Sequence, residues 1–288
     1  MELAIDSSPR YASLALSLEG QMLQEATWRA GQNHSVELAP AVQRLLEAAH
    51  STPSGLKAVF VAKGPGGFSA LRVGMSFAKS LAVALKLPLV AVGTLDIEAA
   101  PYWGLGLPVW AVLDAGRARW YAAHYPAGHV ANAQEGVAYR VLTTDELAAE
   151  VRAPALLCGE NASQAAEALG LLLIRPTPGP ESSSLPPRGG RARMGVSAGL
   201  SISSPPPQSP TRVASPRTSS LKGEEAVSPG LVVASGAPPT RRAGTLARLA
   251  YAQLARGDVD DPLTAQPLYL RGSQYEVAAG RQLPDKIS

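Results

Sequence analysis

The sequence predicts an α/β protein with mixed parallel and antiparallel sheets, organised as two βα halves. Three observations predict it. Short apolar runs alternate with segments whose apolar residues recur at helical spacing. A glycine-rich loop joins one such run to the longest helical pattern in the chain, the arrangement of a strand feeding a crossover helix. The theme of strands before helices then returns, less sharply, in the second half.

Glu2 to Asp6 reads as a short strand. Residues 10–18 and 23–29 follow at hairpin spacing, with Glu19-Gly20 as turn chemistry. A helix comes next over 35–49, because Leu38, Val42, Leu45, Leu46 and Ala49 fall at i, i+4, i+7, i+8 and i+11, with Ser35 as its cap. Residues 57–62 form a buried strand, 69–86 the long helix, 88–92 a strand and 94–102 a helix. In the second half, 108–114 and 117–125 read as paired strands around Ala115-Gly116, with a further strand near 139–142. Residues 143–151 look helical, 155–158 extended and 162–169 helical. Residues 245–256 form an amphipathic helix, ended by Gly257 in a position suited to a left-handed cap.

The chain has 288 residues, a formal charge of +3 and a pI of about 9.1. Its composition is uneven. Residues 175–244 hold 13 of the 25 prolines, 13 serines and 9 glycines, and no Phe, Trp or Tyr. Such a stretch has too little apolar side chain to offset the entropy of ordering it, so it reads as a disordered insertion, with 231–234 a short exception. It carries 8 Arg and 1 Lys against 3 Glu, which leaves the rest of the chain at −3. The basic pI therefore belongs to the insertion, and the folded part is mildly acidic. The expected divisions are 1–103 for the first half, 104–174 with 245–275 for the second, 175–244 for the insertion and 276–288 for a flexible tail.

The single cysteine, Cys158, excludes an internal disulfide framework and a CxxC metal site, and fits a reducing cytosol. No apolar run reaches the roughly 18 to 20 residues of a membrane span. The N-terminus lacks the basic start and apolar core of a signal peptide, so the expected location is the cytoplasm, with no membrane partner.

The sharpest local feature is residues 63–74, LysGlyProGlyGlyPheSerAlaLeuArgValGly, between a strand and a helix. Its glycines permit a sharp turn and close backbone approach, and the helix start offers free amides to an anion. It lacks the GlyLysSer or GlyLysThr ending of a P-loop. Two readings stand: a phosphate contact made by Gly64, Gly66, Gly67 and Ser69, or a tight structural connection. In the following helix Leu71, Gly74, Ala78, Leu81, Ala82 and Leu85 form an apolar stripe. Val73, Phe77 and Ala84 widen it beyond the arc of about 100° that a surface helix buries. It needs cover on two sides: Gly74, Ala78 and Ala82 at spacing four would admit another helix, and the alternative is a helix buried inside its own domain. Arg117 and Arg119 beside Trp120 and Tyr121 form a small basic-aromatic group, but alternation along a strand turns Trp120 away from the others.

AlaIleAspSerSer near the N-terminus, HisSerValGluLeu opening the first helix and GlyProGlyGlyPheSerAlaLeuArgValGly after the fourth strand together resemble the TsaB (YeaZ) family. LeuAspAlaGlyArgAlaArgTrpTyrAlaAla and ProLeuTyrLeuArg follow in the same order. The resemblance covers about residues 1–175 and 243–275. It implies the actin-like, sugar-kinase-like ASKHA fold and a role in making N6-threonylcarbamoyladenosine at position 37 of tRNA. It also implies a non-catalytic subunit with no cofactor, which pairs with a TsaD-like catalytic subunit, is joined by a TsaE-like ATPase and meets tRNA through the complex. A homodimer of the chain alone stays open. Gly116 and Arg119 depart from the family's usual Arg and Glu. Asp6, Ser7 and Ser8 lie where relatives of this fold turn a hairpin around nucleotide phosphates, so the resemblance implies a vestigial nucleotide loop there, with a plain turn-forming Asp as the alternative. Relatives resembling TsaD place two metal-binding histidines four apart on a helix. Here His34 is followed at that spacing by Leu38, so no metal is expected. The expected partner contact uses the helices 35–49 and 69–86 through Leu38, Val42, Leu45, Val73, Gly74, Phe77, Ala78 and Leu81, with Phe77 and Ala78 at its centre. The alternative is an enzyme of the same fold, an ATP-binding transferase or a metallopeptidase.

Overall fold

The computed structural model describes residues 1–7, 11–30, 34–130, 137–170, 230–234, 240–270, 277–278 and 281–282. β1 (Glu2–Asp6), β2 (Tyr11–Leu18) and β3 (Gln21–Arg29) run antiparallel, β1 to β2 and β2 to β3. Both central residues of the β2–β3 turn have positive φ, 52° at Glu19 and 74° at Gly20, angles whose twist matches that of the strands. The buried Glu2 carboxylate holds this turn, accepting from Ser17 Oγ at 2.6 Å and from the Glu19 and Gly20 amides at 3.2 and 3.4 Å. α1 (His34–Ala48) leads to β4 (Ala58–Gly64), α2 (Phe68–Leu85) and β5 (Leu89–Gly93). β4 is parallel to both β1 and β5, so the first sheet has the order β3-β2-β1-β4-β5.

α3 (Thr94–Ala99) and a 3₁₀ turn, Ala100–Leu105, lead into β6 (Val109–Gly116), β7 (Arg119–Tyr125) and β8 (Tyr139–Thr143). α4 (Thr144–Glu150) starts on a capping box: Thr143 Oγ1 accepts from the Glu146 amide at 3.2 Å, and the Glu146 carboxylate accepts from the Thr143 amide at 2.7 Å. β9 (Leu156–Cys158), α5 (Ala162–Ala168) and β10 (Val232–Val233) complete the half, and α6 (Ala243–Leu254) follows. The second sheet has the order β10-β9-β6-β7-β8. β6–β7 and β7–β8 are antiparallel, while β6–β9 and β9–β10 are parallel. Taken from its other edge, this is the first sheet's topology again, so the two halves are a structural duplication. Asp6 and Asp114 hold equivalent places near the ends of β1 and β6, opposite Ser13 and Trp120.

Strand alternation sorts side chains into three cores. Leu3, Ile5, Leu14 and Leu16 face outward beneath α1 and α2. Ala4, Ala15, Phe60 and Val90 face inward and share a central core with Ala111 and Leu113 of the second sheet, with α3 and α6 between. Trp110, Val112, Trp120 and Ala122 face the far side, where Leu147 of α4 and Ala162, Ala165 and Ala166 of α5 cover them.

Several expectations are corrected. α6 packs on β1, β2 and β3 of the first sheet rather than joining the second lobe. Its register is set by contacts that leave no room for side chains: a Cβ on Gly20 would meet Tyr251 Cβ at 2.8 Å, and one on Gly244 would meet Met22 Sδ at 2.8 Å. The segment assigned to the insertion includes the buried Arg241, while β10 falls within the exception expected at 231–234; residues 175–229 and 235–239 lie outside the described residues. Within the expected tail, Val277–Ala278 and Arg281–Gln282 pair as short antiparallel strands. Arg117 is in a turn with φ of 56°, ahead of β7. Finally, α2 is by length and composition apolar enough to cross a membrane, where the sequence reading found no such run; five of its residues are buried, and it packs on β4.

Candidate functional site

The glycine loop owes its shape to neighbours within the chain. Gly64 has a φ of 112°, and a Cβ there would sit 2.8 Å from the Leu268 carbonyl oxygen. The Leu268 amide donates to the Lys63 carbonyl at 2.6 Å, which closes the C-terminal strap, residues 258–270, onto the loop. A Cβ on Gly74 would lie 2.1 Å from Ser7 Oγ, and Ser7 donates to the Ala70 carbonyl at 2.8 Å. Of the predicted anion loop, Asp6, Ser7 and Gly64 are buried, Gly66 is half-buried, and Gly67 and Ser69 are exposed. Ser8 lies outside the described residues. These contacts favour the tight structural connection over a phosphate cradle, because Ser7 fills the space beside Gly74.

Asp6 belongs to a buried ion-pair group that sequence reasoning missed. Arg241 is 3% exposed; its Nε donates to Asp6 Oδ2 at 3.0 Å and its Nη1 to Glu98 Oε1 at 2.8 Å. Thr240 Oγ1 also donates to Glu98, at 2.9 Å. Burial pushes the Glu98 carboxyl up, and Arg241 offsets this only in part, since one guanidinium serves two carboxylates. The same segment ties α6 to the first hairpin: the Ala243 amide donates to Ser13 Oγ at 3.1 Å and the Gly244 amide to Glu25 at 2.9 Å. Arg241 thus joins the end of β1, α3 and the start of α6.

The expected partner face divides in two. Leu38, Val42 and Leu45 of α1 and Gly74 and Ala78 of α2 are buried in the chain's own core. Ala78 is 0% exposed. The small residues at spacing four let α2 settle closely onto its own sheet, so Ala78, expected at the centre of the partner contact, belongs to the chain's own core, and Ala78→Arg would disrupt the fold. Val73, Phe77 and Leu81 are half-buried along one flank. The exposed crest of α2 is Ser69, Arg72, Ser76, Ser80 and Val83, each three or four residues from the last and therefore aligned on one side. On the opposite flank Lys79 Nζ donates to the Leu263 and Ala265 carbonyls of the strap at 3.2 and 2.8 Å. The strap is itself fixed to β5, where Asp260 accepts from the Ala91 amide at 2.7 Å.

A second carboxyl, that of the half-buried Asp96, accepts from Tyr125 Oη at 2.7 Å, while the Asp96 amide donates to Tyr139 Oη at 3.2 Å. Burial raises its pKa above 3.8 against the pull of both tyrosines. The His129 ring lies edge-on to Trp103 at 4.6 Å, and burial lowers its pKa. Trp120 is buried with Nε1 donating to Thr144 Oγ1 at 3.1 Å, so the basic-aromatic group is split between core and surface. Burial pushes the Cys158 thiol well up, which fits a core residue. Among the described residues no three His, Cys, Asp or Glu side chains gather as a metal centre would need; the His34 side chain is outside that set.

A family profile described as TsaD, tRNA N6-adenosine threonylcarbamoyltransferase, matches residues 28–162. The tRNA threonylcarbamoyladenosine biosynthesis protein TsaB of Bacillus subtilis (strain 168) is 37% identical over 126 residues, 43% of this chain and 54% of that protein. The tRNA N6-adenosine threonylcarbamoyltransferase of Anaeromyxobacter sp. (strain Fw109-5) is 39% identical over 106 residues, 33% of this chain and 30% of that protein. The matched region thus spans about half the length of the TsaB relative and less of the transferase. YeaZ from Pseudomonas aeruginosa superposes with a TM-score of 0.61 at 22% identity, covering 93% of this chain and 99% of that one. The duplicated topology and this superposition make the fold the actin-like, ASKHA type.

Proposed function

We propose that this chain, a member of the TsaB (YeaZ) family, is a non-catalytic subunit of the machinery that makes threonylcarbamoyladenosine in tRNA, pairing through the outer side of α1 and α2 with a TsaD-like transferase. The observation that carries this reading is the imbalance of α2. Of its 18 residues only Leu71, Gly74, Met75, Ala78 and Ala82 are buried. Val73, Phe77 and Leu81 remain half in solvent, beside a crest of small hydroxyl residues that a second helix can approach closely. A monomer gains nothing by leaving such a helix half covered. The absence of a catalytic role is supported by how the surroundings of the glycine loop and the end of β1 are filled, with Ser7 against Gly74 and Arg241 on Asp6. In this reading a TsaE-like ATPase joins the pair in the cytoplasm and tRNA is met through the assembly. The same face gives a homodimer when the transferase is absent.

The test uses Ser80→Arg, an exposed position whose replacement leaves the core intact. Wild-type chain should co-elute with the transferase encoded in the same genome, and Ser80→Arg should elute apart from it with an unchanged melting temperature. Co-elution of the variant would refute the face. Calorimetric titration with ATP and Mg²⁺ tests the enzyme alternative, which tight binding to the isolated chain would favour.

A further inference from the structure

We infer that Arg72 is a preformed receptor for a single carboxylate of the partner protein, the polar anchor at the edge of the α2 face; this rests on the partner reading above. Arg72 is exposed on the crest of α2. Its guanidinium carbon lies 3.9 Å from the Phe68 ring centroid and 5.8 Å from that of Tyr269. Its Nε donates to Tyr269 Oη at 3.0 Å, and the two rings are 4.8 Å apart. A stacked face and a hydrogen bond at Nε together fix both the plane and the rotation of the group. Neither contact uses the Nη atoms, and among the described residues nothing accepts from them. What remains is a flat pair of parallel donors directed away from the helix, the geometry that binds a carboxylate with two hydrogen bonds. The side-chain freedom that an ordinary surface arginine loses on binding is here already lost on folding.

Phosphate would fit the same fork, but the surroundings favour a lone carboxylate. A polynucleotide backbone is held by several cations acting together. The next cation on this side, Lys79, is taken up by strap carbonyls, and the strap carries Asp258, Asp260 and Asp261. Among the described residues Arg72 is a cation set between two neutral rings with no second free cation of α2 beside it, which matches the polar rim of a protein interface.

Calorimetric titration of the full chain with the recombinant transferase encoded in the same genome tests this, at low and high salt. Arg72→Ala should weaken binding by about tenfold to a hundredfold without changing the melting temperature, and Arg72→Lys should fail to restore it because an ammonium lacks the fork. The wild-type affinity should fall with added salt more steeply than that of Arg72→Ala. Equal affinities for wild type and Arg72→Ala would overturn the inference while leaving the α2 face standing. No binding by the wild type would overturn both. Loss of tRNA retention on filters by Arg72→Ala, with transferase affinity unchanged, would overturn it in favour of a nucleic-acid phosphate.

Discussion

Replacing Arg241 with alanine removes the cation from between two carboxylates that are shut off from water. The Asp6 and Glu98 side chains are each 1% exposed, at 3.0 and 2.8 Å from the guanidinium. Taking one partner out of a buried pair costs about 3–5 kcal/mol, a large part of the roughly 5–15 kcal/mol that holds a typical domain folded. At about 2–4 °C per kcal/mol for a domain of this size, the melting temperature should fall by about 6–20 °C. The loss should depend on pH. Without Arg241 the raised pKa of Glu98 rises further, and a carboxyl raised in the folded state costs stability as pH climbs through that value. Urea unfolding followed by circular dichroism at pH 5.5 and pH 8 should therefore show the larger deficit at pH 8. Arg241→Lys, which keeps the charge but cannot span both carboxylates, should fall between. A loss below about 1 kcal/mol, the scale of an exposed pair, or equal losses at the two pH values, would refute the reasoning.

Gly74→Ala sets two effects against each other: alanine is favoured over glycine inside a helix by about 1 kcal/mol, yet its Cβ would lie 2.1 Å from Ser7 Oγ. Overpacking of about 1–3 kcal/mol should win, giving a net loss by urea unfolding that Ser7→Ala partly restores; a variant as stable as wild type would show that Ser7 yields freely. Asp96→Asn keeps an acceptor for Tyr125 and removes the titration. Because burial raises Asp96 above 3.8, its contribution to stability is complete below that value and is lost as pH rises through the folded pKa. The variant should therefore gain on wild type between pH 4 and pH 8, and parallel profiles would count against a raised carboxyl.

The strands and helices were legible because each is announced locally. Alternation marks β1 and β2, glycine chemistry marks the β2–β3 turn, and helical spacing marks α1 and α2 within a residue or two. The proposed partner face was only half legible. Helical spacing shows that Leu38, Val42, Leu45 and Ala78 lie on apolar arcs, but it cannot say whether an arc meets the chain's own sheet or another protein. The spacing-four row of small residues looked like a docking groove, yet it serves close packing on β4 and Ser7. Arg241 was illegible for a different reason. Its partners Asp6 and Glu98 are 235 and 143 residues away, and its neighbours in sequence have the composition of the insertion. The one available hint was the recurrence of aspartate at the ends of two equivalent strands, Asp6 and Asp114, which hydropathy alone does not weigh.

The crossing of α6 has a consequence for how the protein is made. The first sheet is complete in sequence at Gly93, yet the helix that covers its inner face begins at Ala243. During synthesis at roughly 5–20 residues per second, the face lined by Ala4, Ala15, Phe60 and Val90 waits roughly 8 to 30 s on the ribosome before its cover is translated. Translation of the insertion occupies part of that interval, so every residue added between β5 and α6, whether before or after β10, lengthens the time for which a nascent apolar sheet stays without that helix.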